Sequence, residues 1–185
     1  MNAENAQRRE IETLSTKEVY RNRWMRVRED AILRSDGSEG LYGVIEKADF
    51  AVVVPLGNEG LTLVEQYRYT VGGRFWEFPQ GSKEEGEYSP LELARAELRE
   101  ETGLSASCVL EAGELFTAYG YSNQKYRVFL ATGLAQGERD LDPEEQDLVC
   151  RAFPVAEVER MILDGTIRDA TTVAAFGLLR MKGLL

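Results

Sequence analysis

One short segment, 89–103, carries both its start and its stop signal, and the rest of the chain has to be arranged around it. Ser89-Pro90-Leu91-Glu92 has the form of a capping box with proline at the first helical position. Gly103 stands where a left-handed residue would end the helix. Between them Leu91, Ala94 and Leu98 fall on one helical face, which predicts a helix packed against a core. Its last turn holds Glu97, Glu100 and Glu101, although a helix C-terminus already carries partial negative charge and disfavours acids. Glu97 and Glu101 are four apart and therefore neighbours, with Glu100 close by. Such a cluster of hard oxygen donors suits Mg²⁺ or Mn²⁺. The alternative is a solvated acidic face, the ordinary meaning of a charge run.

On both sides of this helix the chain reads as strands. "EVYRNRWMRVREDAILRSDGSEGLYGVIEK" contains β-formers such as Val19, Trp24 and Val27, with Asp36-Gly37 marking a turn. "FAVVVPL" and "LTLVEQYRY" are two strands joined by the turn Gly57-Asn58-Glu59-Gly60. "GGRFWEFPQG" holds a short strand ending at Pro79, and "SCVLEAGELFTAYG" and "YRVFLATGL" are further strands. "VAEVERMILDG" and "DATTVAAFGLLRM" read as two C-terminal helices, and "AQGERDLDPEEQD" as an acidic loop. The first 15 or so residues are polar, and the expectation is that they fray. Strands, one helix, strands and then helices predict an α/β fold, a mixed sheet covered by helices.

Composition restricts the chemistry. The 185 residues include no histidine, which excludes histidine general bases, Ser-His triads and His-ligated zinc. Acid–base or metal chemistry must fall mainly on carboxylates. A net charge of −10 argues against a nucleic-acid surface, yet a divalent cation can bridge an acidic site to a small anionic substrate. Cys108 and Cys150 lack metal-ligand spacing, and no apolar run approaches the ~18 residues of a membrane span. The N-terminus lacks the apolar core of a signal peptide, so the expected home is the cytoplasm.

Gly81, Glu97, Leu98, Glu100, Glu101, Gly103 and Leu104 resemble the Nudix box, G-x5-E-x7-R-E-U-x-E-E-x-G-U with U apolar. There are two departures. Ala96 stands where the box has arginine, and the loop carries one residue more, with Glu87 as the loop glutamate. The resemblance implies a Nudix hydrolase: an α/β/α sandwich that cleaves a nucleoside diphosphate linked to another moiety. "VEQYRYTVGGRFWEFPQG", "GYSN" at 120–123 and "GTIRDATTVAAFGLL" are similar to ADP-ribose and nucleoside diphosphate sugar pyrophosphatases over about residues 17 to 182. That similarity implies an N-terminal β region, 1–47, exchanged across a homodimer, and a hydrolase domain, 48–185.

The expected metal ligands are the Gln80 carbonyl, Glu97, Glu100 and Glu101. Arg68, at a strand end, could pair bidentately with a phosphate or simply form a surface salt bridge. Glu77 alternates away from Trp76 and Phe78 and could reach either the metal cluster or solvent. Candidate bases for activating water are Glu100 and, on the acidic loop, Glu144 and Glu145. "FPQG", with Gln80, instead resembles dinucleoside-polyphosphate and RNA 5′-pyrophosphohydrolases. Ala96 also leaves open a catalytically silent nucleotide-binding regulator.

Overall fold

The computed structural model describes residues 10–82, 88–141 and 147–185; Glu87, Glu144 and Glu145 lie outside them. The chain separates into two compact units. One comprises residues 1–48 together with 116–124, and the other comprises 49–115 and 125–185.

The first unit is a three-stranded antiparallel sheet in the order β1 (Ile11–Arg21), β2 (Arg26–Arg34), β3 (Glu39–Glu46). Gly37, at φ 84°, makes the β2–β3 turn that Asp36-Gly37 announces. Residues 11–15 do not fray as their composition suggested, because β1 begins at Ile11 and pairs with Arg34 of β2. Pairing with a neighbour fixes these polar residues where composition alone would leave them loose. Every residue of β1 is nevertheless exposed, and Ile11, Leu14, Val19 and Tyr20 each show about half their surface. Segment 116–124 returns to this unit, with Ile45 and Ser122 forming a parallel bridge. Nothing in the local sequence marks that return.

The second unit is a mixed sheet ordered β10 (Val149–Phe153), β5 (Gly60–Arg68), β4 (Phe50–Gly57), β9 (Lys125–Gln136), β8 (Leu104–Phe116). β6 (Gly73–Glu77) pairs with β5, and the two-residue β7 (Gln80–Gly81) pairs with β4. β4 and β9 pair in parallel at the middle of this sheet. "FAVVVPL" is continuously apolar because β4 is covered on both faces. Val52 and Val54 pack with Val158 and Met161 of α2 (Val155–Leu163) and with Ala175, Phe176 and Leu179 of α3 (Ala170–Met181). The alternate residues Ala51 and Val53 pack with Leu93, Ala94 and Leu98 of α1 (Pro90–Thr102). Period-2 alternation therefore builds a helix–sheet–helix sandwich from a single strand.

Two details correct the sequence reading. Leu91 is 41 % exposed and Leu93 takes its place in the core, because the buried face of α1 runs through Leu93, Glu97 and Glu101. β10, "VCRAF", was not foreseen; it is five residues long and is defined by its pairing with Leu61–Glu65 of β5.

Candidate active site

The signals that predicted α1 operate as local hydrogen bonds. Ser89 Oγ accepts from the Glu92 N–H, the Glu92 carboxylate accepts from the Ser89 N–H at 2.8 Å, and Pro90 opens the helix. Gly103, at φ 72°, closes it by donating to the Arg99 carbonyl. The last carbonyls are met from outside the helix. Gly137 donates to Gly103 O at 2.8 Å, Gln136 Nε2 to Thr102 O at 3.3 Å and Asp140 N–H to Glu100 O at 3.3 Å. Segment 136–140 therefore satisfies the orphan acceptors of the acidic turn.

Within that turn Glu97 is 7 % exposed and Glu101 1 %, whereas Glu100 is partly open and lies 3.7 Å from the Arg99 guanidinium. Burying two carboxylates costs heavily unless protons, hydrogen bonds or cations compensate. Arg139 comes from the same 136–140 segment and donates to Leu148 O at 3.3 Å. The Cys150 thiol is pushed up by burial, pulled down by Arg139, and raised again by the charge of Glu101. Arg139 Cγ would lie 3.3 Å from a Cβ built on Gly103, so this side chain passes the C-terminal end of α1, where Ala96 supplies no cation. Arg95 does not substitute: its guanidinium donates to Ala106 O at 2.9 Å.

Gly81 lies against this helix. A Cβ built there would sit 2.6 Å from the Glu97 carboxyl carbon and 2.8 Å from its Oε1, so only glycine leaves the carboxylate its position. The main chain of β7, with the Gln80 carbonyl next to Gly81, is therefore held close to an acid of α1. These groups have the donor chemistry a hard divalent cation takes: a main-chain carbonyl and carboxylates. Among the described residues, no three acidic or cysteine side chains converge as a metal cluster.

A cavity of about 470 Å³ is lined among others by Arg68, Phe75, Glu77, Arg168 and Asp169. Arg68 ends β5 and Glu77 ends β6, and the antiparallel β5–β6 pairing brings them together. Arg68 Nε donates to Glu77 Oε2 at 3.2 Å, its Nη2 pairs with Oε1, and Gln66 Nε2 donates to Oε1 at 2.7 Å. Glu77 is 2 % exposed, so it does not face solvent. Burial pushes its pKa up and the Arg68 guanidinium opposes that rise. The pair sets a partly exposed cation at the cavity wall. Arg168 supplies a second cation, its Nε donating to Gly165 O at 2.7 Å, and Phe75 an apolar surface. No local signal marks either residue; Arg168 merely precedes the α3 cap. Gln80 Nε2 donates to Asp169 Oδ2 at 3.2 Å, joining the cavity wall to the turn beside α1.

The NUDIX domain family matches residues 47–176. The chain belongs to the Nudix family. A second family, the nucleoside diphosphate sugar hydrolase N-terminal domain, matches residues 11–45. Together they make this a Nudix hydrolase of nucleoside diphosphate-linked compounds. The ADP-ribose pyrophosphatase of Mycobacterium tuberculosis is 34% identical over 167 residues, covering 89% of this chain and 81% of that protein. The ADP-ribose pyrophosphatase of Bacillus subtilis is 24% identical over 179 residues, covering 95% of this chain and 96% of the relative. The solved structure of an ADP compounds hydrolase superposes with a TM-score of 0.83 at 24% identity, covering 96% of this chain and 98% of the other, which shows the Nudix fold. Nudix hydrolases generally use divalent metal ions. No helix among the described residues is long and apolar enough to cross a membrane.

Proposed function

We propose that this Nudix hydrolase cleaves the diphosphate of ADP-ribose or a nucleoside diphosphate sugar, releasing a nucleoside monophosphate and a sugar phosphate. The observation that carries this is the Gln80–Asp169 hydrogen bond, 3.2 Å long, which links the wall of the two-arginine cavity to the residue preceding Gly81, the glycine that abuts Glu97. The two ADP-ribose pyrophosphatase relatives support the same substrate class. In this arrangement Arg68 and Arg168 bind the diphosphate oxygens, and Phe75 packs against the organic part of the substrate. The Gln80 carbonyl, Glu97 and Glu101, with Glu100, hold Mg²⁺ or Mn²⁺. When bound, the ion neutralises charge that builds on the phosphate oxygens. Glu100, or Glu144 or Glu145 from the acidic loop, takes the proton from the attacking water.

A dinucleoside-polyphosphate or RNA substrate was suggested by Gln80. The side chain of Gln80 is engaged by Asp169, which accounts for its presence without a different substrate. Turnover of a panel containing ADP-ribose, nucleoside diphosphate sugars, a dinucleoside polyphosphate and 5′-triphosphorylated RNA, each with Mg²⁺ or Mn²⁺, tests the assignment. Preferred hydrolysis of either of the last two would overturn it.

The same proposal includes a homodimer in which region 1–47 is exchanged and region 48–185 forms the hydrolase domain. Its support is the β1–β3 sheet, whose Ile11, Leu14, Val19, Tyr20 and Leu41 remain exposed in one chain. Light scattering at micromolar concentration should give twice the 20.8 kDa chain mass, and a monomer would refute it. Two free cysteines fit a reducing cytoplasm.

A further inference from the structure

The proposed function uses only the main-chain carbonyl of Gln80, yet its side chain is also engaged, by Asp169. The Phe78 N–H donates to Thr172 Oγ1 at 2.9 Å, and that hydroxyl donates to Asp169 Oδ2 at 2.8 Å. Gln80 Nε2 donates to the same Oδ2 at 3.2 Å. The path therefore leaves the turn at Phe78, passes through Thr172 of α3 and its N-cap Asp169, and returns at Gln80. Pro79 lies between, has no N–H to offer, and is held through its carbonyl by the Val53 N–H at 2.9 Å. Capping α3 requires only the bond from Thr172 N–H to Asp169 Oδ2, at 2.8 Å. Neither Gln80 nor Phe78 is needed for that cap, so their bonds serve the turn. Thr172 is fully buried, which makes the path rigid.

We propose that Asp169 and Thr172 clamp the Phe78–Gly81 turn, with Gln80 as the positioning residue that fixes its own carbonyl opposite the acids of α1. Gly81, the next residue, abuts the Glu97 carboxylate, so rotation of the 80–81 peptide would disturb both the carbonyl and that acid. The clamp also ends in the cavity wall, because Asp169 lines the cavity. It therefore sets the distance between the diphosphate site and the metal site. This rests on the proposed roles of Gln80 and Glu97 in holding a divalent cation.

Gln80→Ala keeps the carbonyl and deletes the clamp. The bond is long at 3.2 Å and only part-buried, so it counts as an ordinary hydrogen bond, and its loss predicts a fall of about fivefold in kcat for ADP-ribose, with KM changed by less than about twofold. The Mn²⁺ dissociation constant, measured by calorimetry without substrate, should rise by a similar factor of about five. The melting temperature should stay within about 2 °C, since the side chain is only partly buried. Gln80→Glu, facing Asp169 with like charge, should lose more on both readouts. Thr172→Val, which removes the hydroxyl between the two ends, should weaken Mn²⁺ in the same direction. Unchanged kcat and Mn²⁺ affinity in Gln80→Ala would overturn the proposal, as would an activity loss matched by a lower melting temperature at unchanged Mn²⁺ affinity. If the wild-type protein leaves ADP-ribose intact, the substrate assignment fails while Mn²⁺ calorimetry still decides the clamp.

Discussion

Replacing Gly81 by alanine puts a methyl group into space that the Glu97 carboxylate occupies. The new carbon would lie 2.6 Å from the carboxyl carbon and 2.8 Å from Oε1. Packed carbon atoms settle near 3.5 Å or beyond, so the carboxylate has to retreat by roughly 0.7–0.9 Å. The nearest atoms all belong to the end of one side chain, and Gly81 stays paired with Ala51 on β4. Its φ is not in the left-handed region, so the backbone tolerates a side chain. The fold is also favoured by about 0.4–1 kcal/mol from the stiffer unfolded chain, which offsets part of the local strain. Displacing a catalytic group by about 1 Å can cost about 10²-fold in rate, or about 2.7 kcal/mol. The expected outcome is a fall in kcat/KM for ADP-ribose of about 10²-fold at saturating Mg²⁺, with a melting temperature within about 3 °C of wild type. Steady-state hydrolysis and a thermal melt on the same preparation separate the two effects. Activity within about threefold of wild type would show that Glu97 does not need its place against Gly81, and would remove it from the metal site.

Glu101→Gln should abolish most turnover, by orders of magnitude, while the melting temperature holds or rises, because a buried charge leaves a helix C-terminus; near-native turnover would exclude Glu101 as a ligand. Arg68→Ala should destabilise the fold by about 2 kcal/mol at neutral pH, below the cost of breaking a fully buried pair because the Arg68 side chain is 41% exposed. The pH dependence has a definite sign. Burial raises Glu77 above its unfolded value, so its favourable contribution is complete below the unfolded pKa near 4.3 and is lost as pH rises through the folded value. Without Arg68 that folded value rises further. The stability gap between mutant and wild type should therefore shrink as pH falls toward 4.3, and melting curves across that window would expose a gap that ignores pH.

What the sequence determined by itself is what neighbouring residues decide among themselves. The limits of α1 were legible because a capping box and a glycine stop act over three or four residues. The turns at Asp36-Gly37 and 57–60 were legible for the same reason, and the central strand because seven apolar residues in a row suit a strand covered on both faces. The acidic turn was visible as an anomaly, since helix geometry alone puts Glu97 and Glu101 side by side. Tertiary structure decided the rest. Whether α1 buries Leu91 or Leu93 depends on the surface it meets, and β10 exists only because β5 offers it an edge. Glu77 left the sequence with two possible environments, and the choice was made by Arg68 and Gln66 across the β5–β6 pairing. Arg139 stands near the acids, and Arg168 at the cavity, only through folding. The furthest case is the clamp: Gln80 and Asp169 are 89 positions apart, and Phe78 and Thr172 are 94 apart. No periodicity or propensity links residues at that separation. Only the packing of α3 on β4, which Val52 and Val54 enforce from the core, brings the acid of a helix cap to the turn beside a cluster of glutamates.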